Sequence, residues 1–338
     1  MRIGIPRETK PGELRVALVP DHAAILARDG HEVRVASGAG GGIGHVDRSF
    51  VDAGARIVAA AEAWDAELIV KVKEIQEDDR RNLRAGQTLF CYHHLPGEPG
   101  RTRALAASGV NAIAFEMVRD AAGGFPLLAP MSVIAGRMAI EAAGRHLGRT
   151  PRNVLVLGAG HAGEAAQRAA IERGARVTVL RRATATPGAI ERAALEADLV
   201  VGAVFVPGAP TPKLLPRSLV ARMKPGSMIV DISIDAGGIA ETSRPTTHAR
   251  PTFVEEGVVH YCVPNMPSAE PALAAAAISA AVLPFARELA AKGVARAVRE
   301  NAALRAGVVV WNGRVNHAGI AKEAGLAYTA LTDRDLED

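Results

Sequence analysis

The sequence predicts an α/β protein built on parallel sheets, and three observations carry that prediction. Strand-like and helix-like segments alternate through nearly all of the 338 residues, as they do where crossover helices join parallel strands. Several strand segments are apolar throughout, without alternation, the signature of strands covered on both faces. Between residues 153 and 182, a strand at 154–157 runs into Gly158-Ala159-Gly160-His161-Ala162-Gly163, then an Ala-rich helix, then a strand at 176–180. That is the strand-turn-helix setting of a G-x-G-x-x-G dinucleotide fingerprint. Together these features predict two Rossmann-like domains with a cleft between them.

Taken in order, residues 1–5 read as a strand, 21–29 as a helix and 31–36 as a second strand. Short helical pieces at 50–53 and 59–63 flank a strand at 56–58. Strands at 68–72 and 88–92 are separated by the polar run 74–84, and a helix at 101–108 precedes a strand at 111–114. This half is Rossmann-like without a glycine fingerprint of its own. A helix over 131–147 leads past Pro151 into the fingerprint unit, which continues through apolar strands at 199–205, 228–234 and 258–263. The uncharged stretch 271–286 is shorter than the ~20 residues of a membrane span and reads as a buried interdomain helix. The expected organisation is a discontinuous substrate domain, 1–128 and 272–338, and a shortened dinucleotide-binding domain, 129–271.

Composition narrows the function. With 49% hydrophobic and 4% aromatic residues, the chain buries a large core packed from Ala, Val, Leu and Ile. The formal charge of +4 comes from scattered arginines with no basic run and no interleaved aromatics, which argues against a nucleic-acid platform. Two distant cysteines, Cys91 and Cys262, suit a reducing cytoplasm, and MRIGIPRETK lacks the apolar core of a signal peptide. No metal is expected, because no H-E-x-x-H or comparable ligand spacing occurs. No membrane partner is expected either.

Each fingerprint glycine has a physical task. Gly158 permits the tight turn, Gly160 lets backbone approach a pyrophosphate, and Gly163 lets helix and strand pack closely, with the helix N-terminus facing the anion. The strand at 176–180 then ends in Arg181-Arg182, where an acid is expected to hold the ribose 2′-hydroxyl of NAD. Two arginines there are either a solvated strand end or a fork for the 2′-phosphate of NADP.

Beyond the fingerprint, an ordered series of segments, MRIGIPRETKPGELRVALVP, IVKVKE, LFCYHHL, PLLAPMSVIAGRMA, ADLVVGAVFVPGAPTPKL, MKPGSMIVDISIDAGG and RPTTHARPTFVEEGVVHYCVPNMP, strongly resembles the alanine dehydrogenase family, whose fold is shared by the NAD-binding part of proton-translocating transhydrogenase. The resemblance covers nearly the whole chain. It implies an NAD(P)-dependent amino-acid dehydrogenase that interconverts a small L-amino acid with its 2-oxo acid plus ammonia, assembled as a dimer or hexamer. By the same resemblance, Arg15 and Lys73 hold the substrate carboxylate, His94 shuttles the proton, and Asp235 orients water and stabilises the charged intermediate. Ser132, Asn265 and Met266 line the cofactor beside Gly158, Gly160, Gly163, Arg181 and Arg182. Lys71 and His93 are the neighbours against which Lys73 and His94 are preferred, Asp231 reads as structural, and Glu116 resembles a family acid with no assigned role.

The chain also departs from its family. A glycine-rich insert before the fingerprint strand is missing, residues 183–197 leave room for only one turn and one helix where an edge strand is normally added, and alanines replace polar residues in the stretch from Ser268 to Ala286. Arg181-Arg182 tilts the cofactor reading toward NADP, with NAD the alternative, while these departures bear on oligomer contacts, the adenosine side of the cofactor and the cleft. They also leave room for an imine reductase with a modified pocket, or for a non-redox lyase or amino-acid sensor that has lost productive dinucleotide binding.

Overall fold

The structure, a computed structural model, describes residues 1–206 and 209–337. Pro207 and Gly208, inside the ADLVVGAVFVPGAPTPKL segment, and Asp338 lie outside the described residues. The chain divides into two compact units, Met1–Pro130 with Glu270–Asp338, and Met131–Ala269. Each is built on one mostly parallel sheet.

In the first unit the strands are β1 (Arg2–Ile5), β2 (Glu32–Ala36), β3 (Arg56–Val58), β4 (Leu68–Val70), β5 (Thr88–Cys91) and β6 (Asn111–Ala114). They lie in the order β3-β2-β1-β4-β5-β6, all parallel. This is the doubly wound order, whose crevice opens beyond the carboxyl ends at the reversal, here between β1 and β4. Hydrophobic side chains such as Trp64, Ile69, Leu89 and Leu105 form a core under the sheet. The crossover helix Pro20–Arg28 starts on a proline, with Asp21 in its first turn and Arg28 in its last, matching the helix dipole at both ends.

The second unit carries β7 (Asn153–Leu157), β8 (Arg176–Leu180), β9 (Leu199–Gly202), β10 (Met228–Asp231), β11 (Thr252–Glu255) and β12 (Val258–Tyr261). Their order is β11-β12-β10-β9-β7-β8, parallel except for β11. The reversal lies between β7 and β9, and β8 is the edge strand, with the helix Pro187–Glu196 as its only sequel before β9. In the first unit a further strand, β3, flanks the position that β8 occupies here. The edge is therefore shortened by one strand relative to that order.

Several strands stop earlier than the sequence suggests. Segments 199–205 and 228–234 pair only as far as Gly202 and Asp231. The cause is side-chain competition for the backbone: Asp231 accepts the Ser233 N–H at 3.1 Å and starts a 3-10 turn over Ile232–Ala236, while the Ser233 hydroxyl exchanges hydrogen bonds with Val204. Likewise β4 ends at Val70, so Lys71 and Lys73 lie in the segment beyond it and not on a strand.

Two hairpins complete the sheets. β11 and β12 are joined by Glu256-Gly257, and β13 (Val308–Trp311) and β14 (Arg314–Val315) by Asn312-Gly313. All four turn residues have positive φ, the requirement of a two-residue I′ turn. The β13-β14 hairpin adds antiparallel to β6.

The Ala-rich helix runs from Pro271 to Lys292, 22 residues. It extends six residues past the predicted stretch and is long and apolar enough to cross a membrane by length and composition alone. Its buried Ser279 accepts the Val19 N–H at 2.9 Å and contacts His22 Nδ1 at 2.6 Å, so this face is committed to the first helix of the unit.

Candidate active site

The carboxyl ends of β1, β4, β5 and β6 bring the charged residues of the first unit together at the reversal point. The segment after β1 carries Glu8, Lys10, Glu13 and Arg15, that after β4 Lys71 to Glu74, that after β5 Tyr92 to His94, and that after β6 Glu116. Glu8 ties the first two segments, accepting the N–H of Val72 at 2.6 Å and of Lys73 at 3.3 Å. Arg15 is buried, 2% exposed, and Glu13 grips it through Nε at 2.6 Å and Nη2 at 2.5 Å. That carboxylate fork fixes the guanidinium plane.

Lys73 Nζ stands 3.3 Å from His94 Nε2 and 5.8 Å from the centre of the Tyr92 ring. The His94 and Tyr92 rings stack at 5.7 Å with 16° between their planes. Tyr92 is anchored by its hydroxyl, which donates to Leu127 O at 2.6 Å. An ammonium has only donors, so His94 Nε2 accepts from it and the ring proton sits on Nδ1. Burial, reinforced by the Lys73 charge, pushes the His94 pKa down against the pull of Glu74. The imidazole is therefore neutral near pH 7 and ready to take a proton.

The neighbours of Lys73 and His94 serve the framework. Lys71 is buried between Asp79 at 3.1 Å and Glu8 at 3.5 Å. Burial alone would lower its pKa, but the two carboxylates raise it. His93 points into the interior, 3.7 Å from Cys91 Sγ and 3.4 Å from Leu89 O. Burial pushes His93 down to about 4. Below its ordinary value of 6.5 the unfolded chain binds a proton that the folded chain refuses, so stability falls with pH from about 6.5 to about 4. The urea midpoint is expected to drop across that window, and to drop less in a His93→Gln variant; equal slopes would exclude His93 as the source.

One acid, Glu74, escaped the sequence reading, and another, Glu116, had no role there. Glu74, 3% exposed, places Oε1 2.6 Å from Lys10 Nζ, while its buried Oε2 has no hydrogen-bond partner among the described residues. Burial would raise its pKa, but the His94 ring, Lys10 and Lys73 outweigh that and hold it below the usual carboxylate range. Glu116 accepts the backbone N–H of His93 at 3.1 Å and of His94 at 2.7 Å. The only sequence signal for Glu74 was its place just beyond a predicted strand, whereas Glu116 carried a family resemblance without a role.

In the second unit the glycine turn has the shape a pyrophosphate requires. Gly158 has φ +106° and a Cβ there would meet Ala203 O at 2.3 Å; a Cβ on Gly163 would meet Gly158 O at 2.0 Å. A Cβ on Gly160 would point into open space. Packing thus explains the outer two glycines, whereas the middle one leaves room at the N-terminus of the helix His161–Glu172, whose N-cap is Gly160 itself. Those features fit a dinucleotide phosphate. The Gly158 N–H donates to Leu180 O at 3.0 Å, which sets Arg181 and Arg182 directly beside the turn. Both arginines are exposed, and neither guanidinium has an ion pair or hydrogen bond among the described residues.

Asp235 lies on the 3-10 turn after β10 and accepts the Asn265 N–H at 3.2 Å. The turn is fixed by Asp231, fully buried, which also accepts from Ile239 N at 2.8 Å and from the Ser243 hydroxyl at 2.6 Å. Met266 is buried at 3%, and Ser132 is half-buried in the first turn of the helix Ala129–Leu147. Of the four non-glycine residues with positive φ among the described residues, two are His94 at 44° and Asn265 at 52°. Such backbone is costly and gathers where geometry is enforced for function.

Comparisons with known proteins bear on the family. Residues 4–135 match the profile of the alanine dehydrogenase/PNT N-terminal domain, and residues 181–318 that of the alanine dehydrogenase/PNT C-terminal domain. The chain is 44% identical to an alanine dehydrogenase of Halomonas elongata over 97% of this chain and 98% of that one. It is 38% identical to that of Bacillus subtilis over 100% and 98%. The Halomonas alignment runs over 363 positions, more than this chain's 338 residues, so the relative carries segments without counterpart here. Among solved structures, an L-alanine dehydrogenase superposes with a TM-score of 0.88 at 38% identity, covering 95% of this chain and 98% of that one. A transhydrogenase from Sinorhizobium meliloti shares the fold, with a TM-score of 0.82 at 24% identity over 94% and 99%. The chain belongs to the alanine dehydrogenase/PNT family, as a shortened member.

Proposed function

We propose that the protein interconverts L-alanine and pyruvate plus ammonia, exchanging hydride with a nicotinamide dinucleotide. The observation that carries the reading is its 38–44% identity to alanine dehydrogenases over the full chain, in a chain that gathers Arg15, Lys73 and His94 at one switch point. Arg15, held flat by Glu13, and Lys73 supply the charge that binds the substrate carboxylate. Neutral His94 accepts a proton from the amino group during oxidation and returns it during amination. Asp235 orients the water that adds to the imine. Gly158, Gly160 and Gly163 receive the dinucleotide phosphates at the helix N-terminus, with Ser132, Asn265 and Met266 along the cofactor. Once bound, the dinucleotide supplies the hydride acceptor or donor. The test is NADH or NADPH oxidation that requires both pyruvate and ammonium; oxidation of neither would sink the reading.

On the adenosine side we assign Arg181 and Arg182 to a 2′-phosphate, with NADP preferred over NAD. Two exposed arginines beside the glycine turn, on an edge strand with no flanking strand and no acid, support that choice. Replacing both by alanine is expected to weaken NADPH binding about 10- to 100-fold, the loss of charge-assisted phosphate contacts, and to leave NADH nearly unchanged. Equal affinity of the unaltered protein for NADH and NADPH would refute the assignment. We also assign the protein to the cytoplasm, in keeping with two free buried thiols, and to a homo-oligomer, dimer or hexamer, by family relationship; light scattering of the purified protein tests the latter.

A further inference from the structure

His94 is held in a left-handed backbone conformation, φ 44°, that a bulky L-residue adopts only where its surroundings enforce it. The enforcing groups are on both sides of the same peptide. Glu116 accepts the N–H of His94 at 2.7 Å and that of His93 at 3.1 and 3.2 Å, so two successive amides converge on one carboxylate as they do in an anion-binding nest. Arg101 donates from the other side, to His94 O at 2.8 Å and to His93 O at 3.4 Å.

The arrangement follows from strand register. β5 and β6 are paired in parallel with Cys91 opposite Ala114, so His93 and Glu116 each lie two residues beyond matched strand ends. Arg101 reaches the same point from the helix Pro99–Ser108, where it is 16% exposed and paired with Glu98 at 3.7 Å. Glu116 and Arg101 both meet His94 at its backbone; through space, Lys73 lowers the Glu116 pKa against burial, and Arg101 adds to burial in lowering that of His94.

We propose that Glu116 and Arg101 are positioning residues that clamp the His94 peptide from its donor and acceptor sides, and so hold the imidazole against Lys73 and over Tyr92. The inference rests on His94 being the proton shuttle. Without the clamp, His94 relaxes toward an ordinary backbone conformation and its ring leaves the stack, while Arg15 and Lys73, held by Glu13 and Glu8, keep their places. Turnover is then lost with little change in substrate binding.

The test compares Glu116→Gln, Arg101→Met and His94→Asn in the full-length protein, reading kcat, KM for pyruvate and the pH dependence of kcat. Glu116→Gln replaces one acceptor oxygen with an NH₂ that faces two N–H donors. It is expected to lower kcat about 10- to 100-fold, the cost of misplacing a reacting group by about an ångström, with KM within about twofold and the acid limb of the kcat profile displaced. Arg101→Met is expected to lower kcat in the same sense and carries the test if Glu116→Gln does not fold. Inactive His94→Asn beside Glu116→Gln and Arg101→Met that keep the original kcat and pH profile would overturn the clamp alone. Active His94→Asn would overturn the proton-shuttle reading beneath it. A rise in KM with kcat unchanged would place Glu116 in substrate binding and also refute the clamp.

Discussion

A His94→Asn variant is expected to lose about 10²- to 10⁴-fold in kcat, the usual contribution of a positioned acid-base group, while folding normally and still binding pyruvate. Asparagine is the informative replacement because it tolerates the left-handed backbone that His94 occupies. The Glu116 and Arg101 contacts to backbone therefore survive, and the variant removes only the ring. An amide has no titrating nitrogen near neutrality, so the proton released as the amino group is oxidised has no acceptor. The imidazole suits the task because burial and the Lys73 ammonium 3.3 Å away keep it neutral. The comparison with His93→Gln sharpens the result. That residue points at Cys91 and Leu89 O, so its loss should alter stability and leave kcat of the folded protein nearly intact. Steady-state NADH or NADPH oxidation and a melting curve decide the matter; a His94→Asn enzyme keeping more than about a tenth of its turnover would remove this histidine from the chemistry.

Lys71→Met is expected to destabilise the fold by about 3–5 kcal/mol, the cost of breaking a buried ion pair from one side. Lys71 is 1% exposed, and Glu8 and Asp79 stand at 3.5 and 3.1 Å. Methionine fills the same volume and leaves two buried carboxylates without their cation. Asp79 keeps the Thr9 hydroxyl and the Gln76 N–H, each at 2.9 Å, but Glu8 keeps only backbone donors, from Val72 and Lys73. Burial already raises the Glu8 pKa, so in the variant protonation of Glu8 is the cheapest relief. The deficit should accordingly shrink as pH falls, because the folded variant then takes up a proton above the unfolded carboxylate's range. Urea denaturation at several pH values measures both effects. A loss below about 1 kcal/mol would show that the cluster is not a framework element. Because Glu8 also holds the Lys73 N–H, KM for pyruvate is expected to rise in the protein that remains folded.

Most strands and helices were legible because each is a local pattern: buried runs such as NVLVL and MIVD, and crossover helices opened by proline. The glycine turn was legible for the same reason, since a tight turn, a close phosphate and a close helix each exclude a Cβ at a fixed spacing. Strand ends were less so. Whether 228–234 stays extended depends on the Asp231 and Ser233 side chains taking over backbone hydrogen bonds, a contest whose winner is set by what β9 offers at Val204. Neither hairpin is in the sequence reading, which has no strand just before 258–263 and none after 271, although Asn312-Gly313 is a strong turn signal.

The sequence by itself determined the class of chemistry: a dinucleotide turn, a neutral-range histidine, cations for a carboxylate, and an ordered series of family segments. Only the tertiary structure supplied a physical difference between near-identical neighbours. Lys71 and Lys73, or His93 and His94, are equivalent as residue types. They differ in which strand end faces them, because the reversal between β1 and β4 places two carboxylates on Lys71 and leaves Lys73 beside the imidazole. It also gave Glu116 a task, since a carboxylate 22 residues away from His94 along the chain becomes its backbone partner only when β5 and β6 pair in register.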